Sequence, residues 1–116
     1  MRKELSRLGK SFRYAFQGLY TLIRSERNMQ LHALATVVVL CAGSIRGLSP
    51  LRWALLLLAI GVVWLTEALN TALERLANAV SKAHHPLIGQ AKDIGAAAVL
   101  IAAVLAAAIG ILVFLC

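Results

Sequence analysis

Four polar residues recur through an otherwise apolar stretch: Glu67, Asn70, Glu74 and Asn78, at spacings of three, four and four. At about 100° per residue they fall near 0°, 300°, 340° and 20° around a helix, one continuous stripe. Ionisable groups in or near hydrocarbon are costly and are normally retained where they face a partner, a cavity or a metal. Such a stripe can bind a hard cation, conduct a proton or ion, or join helices through hydrogen bonds. Of the five acids in the chain, Glu26, Glu67, Glu74 and Asp93 lie near the expected cytoplasmic ends of helices. That concentration suits Mg²⁺, which takes one or two carboxylates and completes its shell with phosphates and water. Lys92, beside Asp93, either meets phosphate or snorkels to the interface. No P-loop, kinase glycine loop or Ser/His/Asp arrangement is present, so any nucleotide must be held by side chains carried on helices.

The elements that position this stripe follow from composition. The 116 residues are 60% apolar and 15% charged, against about 45–50% and about 25% in soluble domains. The excess apolar surface must be covered by lipid, which predicts an all-α integral membrane protein of one domain, residues 1–116. Of twelve Lys and Arg, seven precede residue 29, where they meet anionic headgroups; no nucleic-acid partner is expected. Cys41 and Cys116 sit in apolar stretches without metal or CxxC spacing and read as apolar fillers.

Residues 1–28 form the first region. Leu5, Leu8, Phe12, Phe16, Leu19 and Ile23 share one helical sector, and Lys10, Arg13, Gln17, Thr21 and Arg24 lie opposite. This predicts an amphipathic helix in the interfacial plane. Span 1 covers residues 29–45, followed by a tight turn at Arg46-Gly47-Leu48-Ser49-Pro50. Span 2, residues 50–81, exceeds the hydrocarbon thickness and extends into the cytoplasmic interface. A break holding His84-His85-Pro86 precedes span 3, residues 92–116, whose many alanines favour close helix approach. The N-terminal basic residues with Arg75, Lys82 and Lys92 outnumber Arg46 and Arg52. By the positive-inside rule the N-terminus is cytoplasmic and the C-terminus outside.

The run Glu67-Ala68-Leu69-Asn70-Thr71-Ala72-Leu73-Glu74, with His85-Pro86-Leu87 and Ala91-Lys92-Asp93-Ile94-Gly95-Ala96-Ala97-Ala98, resembles the prokaryotic diacylglycerol kinase family, which includes undecaprenol kinases. Arg7, Lys10, Tyr14, Gly18-Leu19 and Glu26-Arg27-Asn28 extend the resemblance over nearly the whole chain. It implies a homotrimer in the bacterial cytoplasmic (inner) membrane that transfers the γ-phosphoryl of MgATP to a lipid hydroxyl at sites shared between subunits. By the same resemblance Glu67 is the general base and Asn70 its polar partner. Glu26 and Glu74 hold the metal. Tyr14, Glu26, Glu74, Asn78, His84, His85, Lys92 and Asp93 contact ATP. Arg7, Lys10, Phe12, Phe16, Asn28, His32, Glu67 and Ala96 face the lipid substrate.

Two positions depart from the family pattern. Asn78 stands where many members carry Asp, and His32 where the diacylglycerol branch tends to carry Glu. Together with Glu26-Arg27-Asn28 and His85-Pro86, His32 tilts the expected acceptor toward undecaprenol over diacylglycerol. A non-catalytic helical membrane protein and a small ion or proton conductor are the competing readings.

Overall fold

The computed structural model describes residues 1–81 and 83–116. Lys82, counted above among the cytoplasmic basic residues, lies outside the described residues. The described residues form four helices: α1 (Arg2–Ser25), α2 (Arg27–Arg46), α3 (Pro50–Val80) and α4 (Pro86–Leu115). The last three are long and apolar enough to cross a membrane.

Each boundary has a local cause. Between α1 and α2 only Glu26 leaves the helical region, with φ −107° and ψ 116°, while its N–H still donates to the Leu22 carbonyl at 3.1 Å. One extended residue therefore redirects the chain from the amphipathic helix into the first apolar one. At the end of α2, Gly47 adopts φ 66°, a left-handed conformation that closes helices at little steric cost only for glycine. Ser49 then caps α3, its Oγ accepting from the Arg52 N–H at 3.3 Å, with Pro50 in the first turn where its missing N–H is not needed. The same device starts α4: His85 Nδ1 accepts from the Leu87 N–H at 3.2 Å and Pro86 follows. The α4 helix thus begins before Lys92 and carries it in its second turn.

Helices α3 and α4 pack along each other most extensively, with α2 against α3. The interior is thin: Leu56, Ala59 and Val63 of α3, Ala102 and Val113 of α4, Met29 of α2 and Leu22 of α1 are its buried apolar residues. Large apolar side chains such as Leu34, Val37, Leu58, Leu65, Leu100, Ile101 and Leu112 point outward, as a surface bathed in hydrocarbon requires. Polar contacts supplement this packing. Trp64 Nε1 donates to Thr36 Oγ1 at 2.9 Å, and Thr36 Oγ1 donates to the His32 carbonyl at 2.7 Å, joining α2 to α3. In α1 only Leu22 is buried and Ile23 is half-buried; the rest of the helix lies open, with Leu5, Leu8, Phe12 and Phe16 exposed.

At the far end from the polar stripe, Arg52 of α3 donates to the Val113 carbonyl at 2.5 Å and the Leu112 carbonyl at 3.4 Å. The last carbonyls of a helix have no partner within it, and near lipid they cannot rely on water. Replacing Arg52 by Met is expected to lower stability by about 1–3 kcal/mol. Thermal unfolding in detergent micelles measures this, and an unchanged midpoint contradicts the capping role.

Candidate active site

The short turn at Gly47 makes α2 and α3 an antiparallel hairpin, so residues at similar distances from the turn lie level. His32 and Glu67 are such a pair. Glu67 is only 3% exposed, and its Oε2 lies 3.6 Å from His32 Nε2. That separation is too long for a hydrogen bond and constitutes a charge contact when the imidazole is protonated. Oε2 is enclosed and has no hydrogen-bond partner among the described residues; Asn70 Oδ1, one turn further on, is in the same condition. Buried polar atoms are nearly always paired, and here two orphans stand three residues apart on one helix. Thr71, the next residue of the helix, is 6% exposed.

Beyond this pair the stripe emerges. Glu74 is half-buried and makes no hydrogen bond or ion pair among the described residues. Asn78 is exposed, and its Oδ1 accepts from Lys92 Nζ at 2.6 Å. This contact joins the polar ends of α3 and α4. Beside it a cavity of about 370 Å³ is lined by Asn78, Ser81, His84, His85, Gly89 and Lys92 among others. Most of its wall is polar, and the ammonium of Lys92 supplies positive charge.

Glu26, at the α1–α2 corner, has its Oε1 3.3 Å from Arg75 Nη2, and the same nitrogen donates to Ser25 Oγ at 2.5 Å. Arg75 follows Glu74 in sequence, so it ties the Glu26 corner to the turn of α3 that carries Glu74. Glu26 and Glu74 each offer hard oxygen donors, the kind taken by an ion that binds few protein ligands and finishes its shell with phosphate and water. No cluster of three or more His, Cys, Asp or Glu ligands occurs among the described residues.

The structure thus brings together Glu67 with His32, and Asn78 with Lys92, His84 and His85. It places Asn28, Asp93 and Ala96 on exposed positions near these groups in sequence. Arg7, Lys10, Phe12, Tyr14 and Phe16 stand on exposed turns of α1, and their side chains make no hydrogen bond or ion pair among the described residues. Two residues of the site escape the sequence pattern. Arg75 reads only as a cytoplasmic charge, although its position beside Glu74 is a signal that it reaches the same corner. Gly95 stands in the sequence only as part of the family motif, yet it abuts Asn70.

The structure thus pairs an acid enclosed in an apolar helix with a polar cavity, lined by Lys92, toward the end of the same helix. The profile of prokaryotic diacylglycerol kinase matches residues 13–114, and the chain belongs to the prokaryotic diacylglycerol kinase family. It is 43% identical over 114 residues to undecaprenol kinase of Bacillus subtilis (strain 168), covering 98% of this chain and 93% of that protein. It is 39% identical over 101 residues to a diacylglycerol kinase of Synechocystis sp., covering 86% and 58%. With diacylglycerol kinase of Escherichia coli (strain K12) the identity is 29% over 101 residues, covering 87% and 83%. The chain is therefore a membrane lipid kinase, in place of the conducting or non-catalytic protein left open by composition.

The Arg75 contacts are exposed, so their net strength is small, under about 1 kcal/mol. Arg75→Ala is expected to leave global unfolding nearly unchanged while loosening the corner. Faster amide exchange from Ser25 to Asn28 is the expected readout, and unaltered exchange there contradicts the tether.

Proposed function

We propose that the chain transfers the γ-phosphoryl group of MgATP to the hydroxyl of a membrane lipid, with undecaprenol preferred over diacylglycerol. The enclosed, unpartnered Glu67 Oε2 beside His32 is the observation that carries this reading. A carboxylate oxygen accepts and cannot donate when ionised, so its missing partner is a donor. An alcohol entering from the lipid side supplies one. Glu67 takes the hydroxyl proton as the lipid oxygen bonds to the γ-phosphorus and the bond from that phosphorus to the β–γ bridging oxygen breaks, releasing ADP; His32, when protonated, offsets the buried negative charge. Asn70 adds a polar group on the same face.

The donor nucleotide enters from the other side. In this reading the cavity beside Asn78, His84 and His85 takes the nucleoside, and Lys92, held by Asn78, faces the phosphates. Tyr14 and Asp93 approach the same ligand. Glu26 and Glu74 would hold Mg²⁺, which would neutralise phosphate charge when bound. Positioning and charge neutralisation account for most of the catalysis of phosphoryl transfer, so a small chain suffices.

The lean to undecaprenol rests on the 43% identity to a protein named for that substrate and on His32. A groove of about 380 Å³ between α2, α3 and α4 also begins at His32 and continues past Trp64 to Ala107 and Gly110. Its walls are apolar, as a lipid tail requires. Arg7, Lys10, Phe12, Phe16, Asn28 and Ala96 complete the lipid side. The whole of residues 1–116 acts as one kinase domain: residues 1–28 as the interfacial region, 29–45, 50–81 and 92–116 as spans. It assembles as a homotrimer in the bacterial cytoplasmic membrane, N-terminus inside and C-terminus outside. Alanines exposed on α4, Ala97, Ala98 and Ala108 among them, favour such helix association.

Glu67→Gln is expected to lower transfer of label from γ-labelled ATP to lipid in mixed micelles by on the order of 10²-fold or more; a parental rate removes Glu67 as the base. With the parent protein, undecaprenol is expected to show the higher kcat/KM in a side-by-side assay with diacylglycerol. The opposite order reverses the acceptor assignment.

A further inference from the structure

Asn70 meets α4 at Gly95. A Cβ built on Gly95 would collide with Asn70 Oδ1, and it would come within 3.2 Å of Leu73 Cδ2 and 3.4 Å of Asn70 Cγ. The glycines at 9, 18, 61, 89 and 110 present no such obstacle, since a Cβ there meets nothing within 4 Å. Space for a side chain is therefore denied at this point of α4 and granted along the rest of it. The group that fills the space is a single carboxamide.

The seating of that carboxamide has chemical consequences. Its Oδ1 is enclosed and accepts no hydrogen bond, so the contact with Gly95 holds it by shape alone. Leu73, three residues further along α3, also borders the position that a Cβ at residue 95 would take. Nδ2 donates to no group among the described residues. With the oxygen lodged against α4, the amide nitrogen is the end left to donate, and a donor aimed at developing negative charge contributes most when it is fixed beforehand.

We infer that Gly95 is a positioning residue for phosphoryl transfer: its missing side chain forms the slot that fixes the Asn70 carboxamide, leaving Nδ2 to donate to an oxygen of the acceptor alcohol or the phosphoryl group. The inference rests on the proposed reading of Asn70 as part of the active site. Any residue with a Cβ at position 95 turns the carboxamide out of the slot without touching Glu67, Lys92 or the nucleotide cavity. A displacement of this size acts on the rate of the bound complex more than on nucleotide binding.

The test compares Gly95→Ala, Asn70→Ala and the double variant as full chains in mixed micelles. Gly95→Ala is expected to lower kcat by about tenfold or more, with the KM for ATP within about twofold of the parent. Asn70→Ala falls similarly, and the double variant falls no further than Asn70→Ala alone. In Gly95→Ala the ¹⁵N side-chain amide resonance of Asn70 moves. Multiplying losses in the double variant, or an unmoved Asn70 resonance, overturn the slot. A parental rate for Asn70→Ala removes Asn70 from the active site and the slot with it; an impaired Asn70→Ala beside a parental Gly95→Ala overturns the slot alone. Should Gly95→Ala fail to assemble, recovery in the double variant supports the slot, and failure of both makes Gly95 a packing residue and overturns it.

Discussion

A carboxylate held inside a stack of apolar helices is an expensive object. Insertion of an acid at the centre of a membrane helix costs about 2.5–3.5 kcal/mol, and Glu67 is almost wholly enclosed, with the His32 imidazole at 3.6 Å. Much of the architecture can be understood as what makes that placement tolerable. The Gly47 turn sets α2 and α3 antiparallel so that His32 comes level with the acid. The Trp64–Thr36 hydrogen bond, one turn deeper, locks the two helices at that level. Small residues on α4 allow a third helix to close over Asn70.

Polarity is layered along α3. Toward the Gly47 turn the helix buries Leu56, Ala59 and Val63; then come Glu67 and Thr71, enclosed but polar; then Glu74 and Asn78, open to charged partners. Helix α2 has 20 residues and α3 has 31, so the surplus of α3 lies beyond the first apolar helix, and Arg75 and Asn78 sit on it. A reaction between a lipid and a phosphate compound needs this gradient, because the two reactants are soluble in different media. The family to which the chain belongs is named for such a reaction.

Much of this was legible in the residues. Apolar content and spacing announce the helices, because a bilayer leaves the backbone few other solutions; the caps at Ser49-Pro50 and His85-Pro86 are local chemistry. The stripe from Glu67 to Asn78 follows from helical periodicity, and its specific spacing carried the family resemblance. What periodicity cannot reveal is the partner of each polar group. Arg75 binding Glu26, Arg52 reaching the carbonyls of Val113 and Leu112, and Gly95 admitting Asn70 all join residues distant in sequence. Such contacts depend on the rotation and depth at which helices meet, which composition does not encode. The extent of α4 is a related case: its alanine run is evident, whereas its start at Pro86 is set by a histidine cap.

The Gly47 turn makes the hairpin a ruler. Each residue inserted between His32 and Gly47, or between Ser49 and Glu67, advances its leg by about 1.5 Å and rotates everything beyond it by about 100°. A single deletion in either leg would leave composition and apolarity intact and yet swing the imidazole away from the acid. In these two segments side chains can be exchanged for others of similar greasiness, but the residue count is a fixed dimension of the machine.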